Sequence, residues 1–170
     1  MRMSRAAVIA GRVFVAGVFL VYGLLKLAGG QFVPGEFRFD SRSDSMVTLV
    51  WHFYGYSPVY HRFIGLAEVV PAILLLWPRT AALGALLALP VAANIAVMDW
   101  CFGFPASATG LITEVAVVSA ALLWADRGRV MALCGPDAAG GAAERAEPLY
   151  GLESQEKKTL RRSFDKPPES

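Results

Sequence analysis

Cysteine and histidine are nearly absent from this chain, with two of each in 170 residues. Cys101 and Cys134 are too few for a disulfide scaffold, and their spacing fits no zinc or iron–sulfur ligand set. His52 and His61 fall in a connection and at a helix start. They do not face each other across two helices as a haem pair would, and an interfacial place for both is expected. Charge is also sparse: 18% of residues are charged and the formal net charge is +2. The few cations are scattered, so no basic stripe is available to track phosphates and nucleic-acid binding is excluded. Apolar residues, at 55%, fill the space, and they come in long runs. Such a chain is a one-domain, all-α, polytopic membrane protein.

Four runs reach the roughly 30 Å hydrocarbon thickness at about 1.5 Å per residue: about residues 6–28, 59–77, 80–98 and 106–125. They predict a four-transmembrane-helix bundle over residues 1–134. The first run outlasts a signal-peptide core, and Lys26 stands where small cleavage-site residues belong, so a cleaved leader is disfavoured. The long connection after span one begins with an alternating, extended-looking segment. It continues as an amphipathic helix capped at Ser43 or Asp44, with Met46, Leu49, Val50 and Phe53 on one face and Trp51, His52, Tyr54 and Tyr56 around it. That composition predicts an extracytoplasmic interfacial helix. Ser57 and Pro58 then read as N-cap and first residue of span two. Pro90 should kink span three and leave the Leu86 carbonyl open, with Asn94 beside it. Residues 99–105 are expected as an aromatic loop. Ser107, Gly110, Glu114 and Ala121 make a small-residue stripe expected to face the bundle interior. From residue 135 the chain turns rich in Ala, Gly, Glu, Lys and Pro, which predicts a disordered cytoplasmic tail over 135–170 without assigned function.

Arg2, Arg5, Arg79, Arg127 and Arg129 cluster on one side, against Arg38 and Arg42 on the other, which places both termini in the cytoplasm. Arginine outnumbers lysine twelve to four and alanine abounds, a composition of GC-rich bacterial genomes, so the expected location is a bacterial cytoplasmic membrane. Within the spans, Glu68 stands out. A mid-span carboxylate costs on the order of 3 kcal/mol to insert and needs a cation, a proton or a functional pocket. Matching depths across helices suggests a buried polar cluster of Tyr22, Lys26, Arg62, Glu68, Asn94, Asp99 and Glu114, in which Lys26 and Arg62 neutralise Glu68 and Glu114. Arg12 is expected to snorkel to the headgroups.

Gly11-Arg12 with Phe19, Tyr22-Gly23 and Lys26, then Arg62-x-x-Gly65-x-x-Glu68 and Pro78-Arg79-Thr80 followed by Leu83-Gly84-Ala85, resemble the DoxX and DoxX-like small four-helix membrane proteins over about residues 8–126. The resemblance implies association with membrane redox systems: members include subunits of thiosulfate:quinone oxidoreductase, and others partner soluble thiol- or superoxide-handling enzymes. It points to a non-catalytic accessory subunit with no cofactor held by the chain itself, quinone as the candidate ligand, and a soluble or membrane oxidoreductase as partner. The methylamine-utilisation MauE family carries a paired-cysteine motif near its third span. Here Cys101-Phe-Gly103 matches only part of it, which counts against thiol exchange within the chain. Two other classes remain open. One is a structural or assembly protein whose ion pairs only hold helices together, and the other is a small transporter, which four spans without an internal repeat would build only as a homo-oligomer.

Overall fold

In the computed structural model, residues 3–134 are described. They form six helices: α1 (Arg5–Leu27), α2 (Met46–Gly55), α3 (Pro58–Leu76), α4 (Ala81–Phe102), α5 (Ala106–Ala125) and α6 (Arg127–Cys134). Helices α1, α3, α4 and α5 are each long and apolar enough to cross a membrane. No strand is formed among the described residues, so the alternating segment of the first connection stays irregular. The predicted tail, 135–170, lies outside the described residues.

Local chemistry sets most helix ends. Ser4 caps α1 by accepting from the Ala7 N–H, and Gly29, at φ 75°, closes its other end in the left-handed region with Ala28 and Gly30 amides returned to Leu24 and Leu25. Ser45, one or two residues later than the sequence suggested, caps α2 through the Thr48 N–H. Asp40 and Asp44 are instead used on each other, the Asp44 carboxylate accepting from the Asp40 N–H. Ser57 caps α3 with Pro58 in its first turn. The expected loop at 99–102 is helical. Nothing breaks α4 before Gly103, whose left-handed φ of 70° ends it while the Phe104 N–H returns to the Asp99 carbonyl. Helix α4 also stays helical across Pro90.

The spans form a four-cornered bundle in which α1 and α4 each touch both α3 and α5, and α2 rests on α3 and α4. Between membrane helices there is little hydrophobic drive, so close backbone approach matters more. Gly23 and Gly65 provide it for α1 and α3: a Cβ on Gly23 would stand 2.9 Å from the Gly65 carbonyl, and one on Gly65 would stand 2.8 Å from that of Gly23. Gly84 does the same for α4 against the Leu74–Leu75 backbone. The buried face of α4 is almost all alanine (Ala81, Ala82, Ala85, Ala88, Ala92, Ala96), and Phe19, Leu75, Val115 and Leu122 fill the space this leaves. On α5 the inward face is Thr109, Ile112, Val115, Ser119 and Leu122. The Ser107, Gly110 and Glu114 stripe is therefore outward, contrary to the sequence expectation. Apolar side chains surround α5 on all sides, so its pattern did not mark which face turns inward.

Candidate functional site

The glycine contact brings the last turn of α1 beside the middle of α3, and this positions a fully internal charge pair. Lys26 Nζ donates to both oxygens of Glu68, at 2.6 Å to Oε1 and 2.7 Å to Oε2. Lys26 is 5% exposed and Glu68 1%. An ammonium has three N–H donors, so one remains after the carboxylate is satisfied. Nζ also lies 5.9 Å from the ring centre of Tyr22 and 6.0 Å from that of Phe32, within cation–π range.

Beyond the pair lies a cavity of about 660 Å³ between α1, α3, α4 and α5, closed over by α2 and the start of the first connection. Its walls carry Lys26, Glu68 and Asp99 together with Tyr22, Gln31 and Asn94. The remainder is aliphatic or aromatic. Phe32 is the hub of the aromatic part, 5.6 Å from Trp51 and stacked at 5.2 Å on Tyr54, which in turn stacks on Tyr60 at 5.9 Å. Trp51 meets Phe104 edge-on at 5.5 Å. Burial, with Tyr60 and Asp99 nearby, pushes the Tyr54 phenol above its ordinary range. Asp99 is 5% exposed yet makes no side-chain hydrogen bond or ion pair among the described residues. Gln31 Oε1 is likewise buried without a partner.

Of the residues singled out from sequence, Tyr22, Lys26, Glu68, Asn94 and Asp99 converge on this cavity. Arg62 and Glu114 do not. Both are exposed on the outer faces of α3 and α5, and neither makes an ion pair among the described residues, so the expected four-charge network reduces to Lys26 with Glu68. Depth along a helix was readable from residue counting, but the direction of each side chain was not. Arg12 also departs from expectation: instead of snorkelling it donates to Asp126 at the end of α5, at 2.7 Å and half-buried. The residues missed are the aromatic wall of Phe32, Trp51, Tyr54, Tyr60 and Phe104, and Gln31. The density of rings between 32 and 60 is visible in the sequence, where it fits a membrane-interface belt equally well. His61 is buried with Nδ1 unpartnered, and His52 stacks flat on Phe37 at 3.9 Å. Among the described residues no group of three or more His, Cys, Asp or Glu is placed to hold a metal ion.

Four apolar helices long enough to cross a bilayer, packed around a largely apolar cavity that carries a few polar groups, define a multi-pass membrane protein. The chain is 41% identical over 122 residues to the uncharacterized protein YwoB of Bacillus subtilis (strain 168), an overlap of 72% of this chain and 78% of YwoB. It belongs to the family of YwoB. No family model matches the chain, and no solved structure matches it.

Proposed function

We propose that the protein is an accessory subunit of a membrane redox system and that its chamber receives a quinone head group. The observation that carries this reading is the buried Lys26–Glu68 pair, which opens a spare N–H donor onto a cavity of about 660 Å³ with aromatic walls. Cavities of roughly 300–1,000 Å³ with a few convergent polar groups are the usual seats of small ligands. The DoxX resemblance of Gly23, Lys26, Gly65 and Glu68 supports a redox association. In this reading Lys26 donates its third N–H to a ring carbonyl, and the Asn94 amide offers a second donor from α4. Phe32 and Tyr54 stack against the ring. Glu68 keeps the ammonium charged and aimed. A quinone would supply the two-electron couple, with the electrons exchanged through an oxidoreductase partner. The termini and tail lie in the cytoplasm of a bacterial cell, and α2 rides at the outer interface as a cover to the chamber.

One observation favours a purely structural role. Both oxygens of Glu68 are already taken by Lys26, so the carboxylate is satisfied without any ligand. Purification in a mild detergent followed by solvent extraction and mass spectrometry separates the two readings. Quinone near one per chain, lost in Lys26→Met, is the expected result. Quinone no more abundant than in an unrelated membrane protein carrying the same lipid load would refute the redox reading.

A further inference from the structure

The charges around the chamber do not cancel. Lys26 offsets Glu68, and Asp99 is left over, so the three buried groups sum to one negative charge when ionised. Among the described residues no second cation lines the cavity: α1 brings Lys26, which Glu68 already holds, α2 faces Asp99 with Tyr54, α3 contributes Glu68 and Tyr60, and α5 contributes Ala108, Leu111 and Ile112. A carboxylate at 5% exposure with only the distant Lys26, already shared with Glu68, to offset it is costly. What surrounds it is aromatic. Phe104 follows it around the end of α4, Trp51 meets Phe104 edge-on, and Tyr54 and Phe32 continue the wall.

We propose that the outer part of the chamber, formed by Asp99 with Trp51, Tyr54 and Phe104, is a binding site for a lipophilic organic cation such as a quaternary ammonium or phosphonium. The carboxylate neutralises the ligand's charge while the ring faces attract it through their quadrupoles, an arrangement that favours diffuse, weakly hydrated cations over small hydrated ones. Lys26 does not repel such a ligand strongly, because Glu68 holds it at close range. The site shares the Tyr54 ring with the wall assigned to the quinone, but its charged group is Asp99 and not the Lys26 and Asn94 donors, so it does not depend on that reading.

Tetraphenylphosphonium binding to the purified full-length protein in detergent, measured by isothermal titration calorimetry, tests the site. Triphenylphosphine oxide, neutral and also aryl-walled, serves as the comparison ligand. The wild-type protein should bind the cation saturably and at least about tenfold more tightly than the neutral compound, in keeping with a desolvated charge contact. Asp99→Asn should abolish that preference while leaving the melting temperature and gel-filtration profile intact. Asp126→Asn, at the opposite end of the bundle, should leave binding unchanged. Equal affinity for cation and neutral compound in the wild type, absence of binding, or an undiminished preference in well-folded Asp99→Asn would each overturn the proposal. The wild-type comparison decides even where Asp99→Asn fails to fold. Loss of co-purified quinone, by contrast, bears only on the redox reading.

Discussion

Removing one side of the Lys26–Glu68 pair should destabilise the bundle far more than removing both. At 2.6 Å and an effective dielectric of about 20, the gross attraction is about 6 kcal/mol, most of it offset by the desolvation of two buried charges. The net worth of the intact pair against two apolar residues is therefore small. Glu68→Gln is different, because it leaves an ammonium at 5% exposure facing an uncharged amide, and stranding a buried charge costs about 3–5 kcal/mol. That corresponds to a fall in melting temperature on the order of 10 °C. Lys26→Met should be destabilising for the mirror-image reason. The double variant Lys26→Met/Glu68→Gln should regain much of the loss, with a coupling of about 2 kcal/mol or more. Thermal unfolding of the detergent-purified proteins, followed by intrinsic fluorescence of the tryptophans, gives all four corners of the cycle. Single variants within about 1 kcal/mol of wild type, or a double variant equal to the sum of the singles, would refute the assignment of this pair as the internal lock between α1 and α3.

Gly23→Ala should lower stability by about 1–3 kcal/mol in the same melts, since its methyl would stand 2.8 Å from Val69 Cγ2 and 2.9 Å from the Gly65 carbonyl, whereas Gly110→Ala, with open space around it, should not. Arg12→Ala should cost about 1–3 kcal/mol, because its bridge to Asp126 is only 15% and 19% exposed and Asp126 would lose its partner, and that loss should add to the effect of Glu68→Gln without coupling. Labelling of intact cells with a membrane-impermeant maleimide should modify the exposed Cys101 and spare Cys134, and the reverse pattern would invert the orientation proposed for the termini. Tyr54 should titrate above the ordinary phenol value near 10. The stability its burial contributes is then complete below that value and is lost as pH rises through the higher one, which ultraviolet difference spectra and melts at alkaline pH can follow together.

Length and apolarity made the four spans legible, and side-chain caps made several of their ends so: Ser57-Pro58 opens α3 where the sequence places it. The end of α4 is not legible, because Asp99 and Trp100 resemble a loop in composition while the stop is the left-handed Gly103. Lys26 and Glu68 were recognisable as needing partners, since an ionisable group inside a span is expensive. Their mutual choice was not recognisable, because it depends on Gly23 meeting Gly65, a contact between residues far apart in the chain. Arg62 and Glu114 went wrong for a related reason. Charge counting selects groups that balance, but the azimuth of each helix decides which of them meet, and α4 and α5 are apolar on every side.

The approach of Gly23 to Gly65 also fixes what kind of motion the bundle permits. With each carbonyl seated over the other helix's bare Cα, a slide of α1 along α3 by one turn would drive Leu27 or Phe19 into the place now held by hydrogen alone. Axial gliding is thus blocked at the level of the charge pair. At the far end of α1 the Arg12–Asp126 bridge ties it to α5 as well, so the helix is fixed at two depths and against two neighbours.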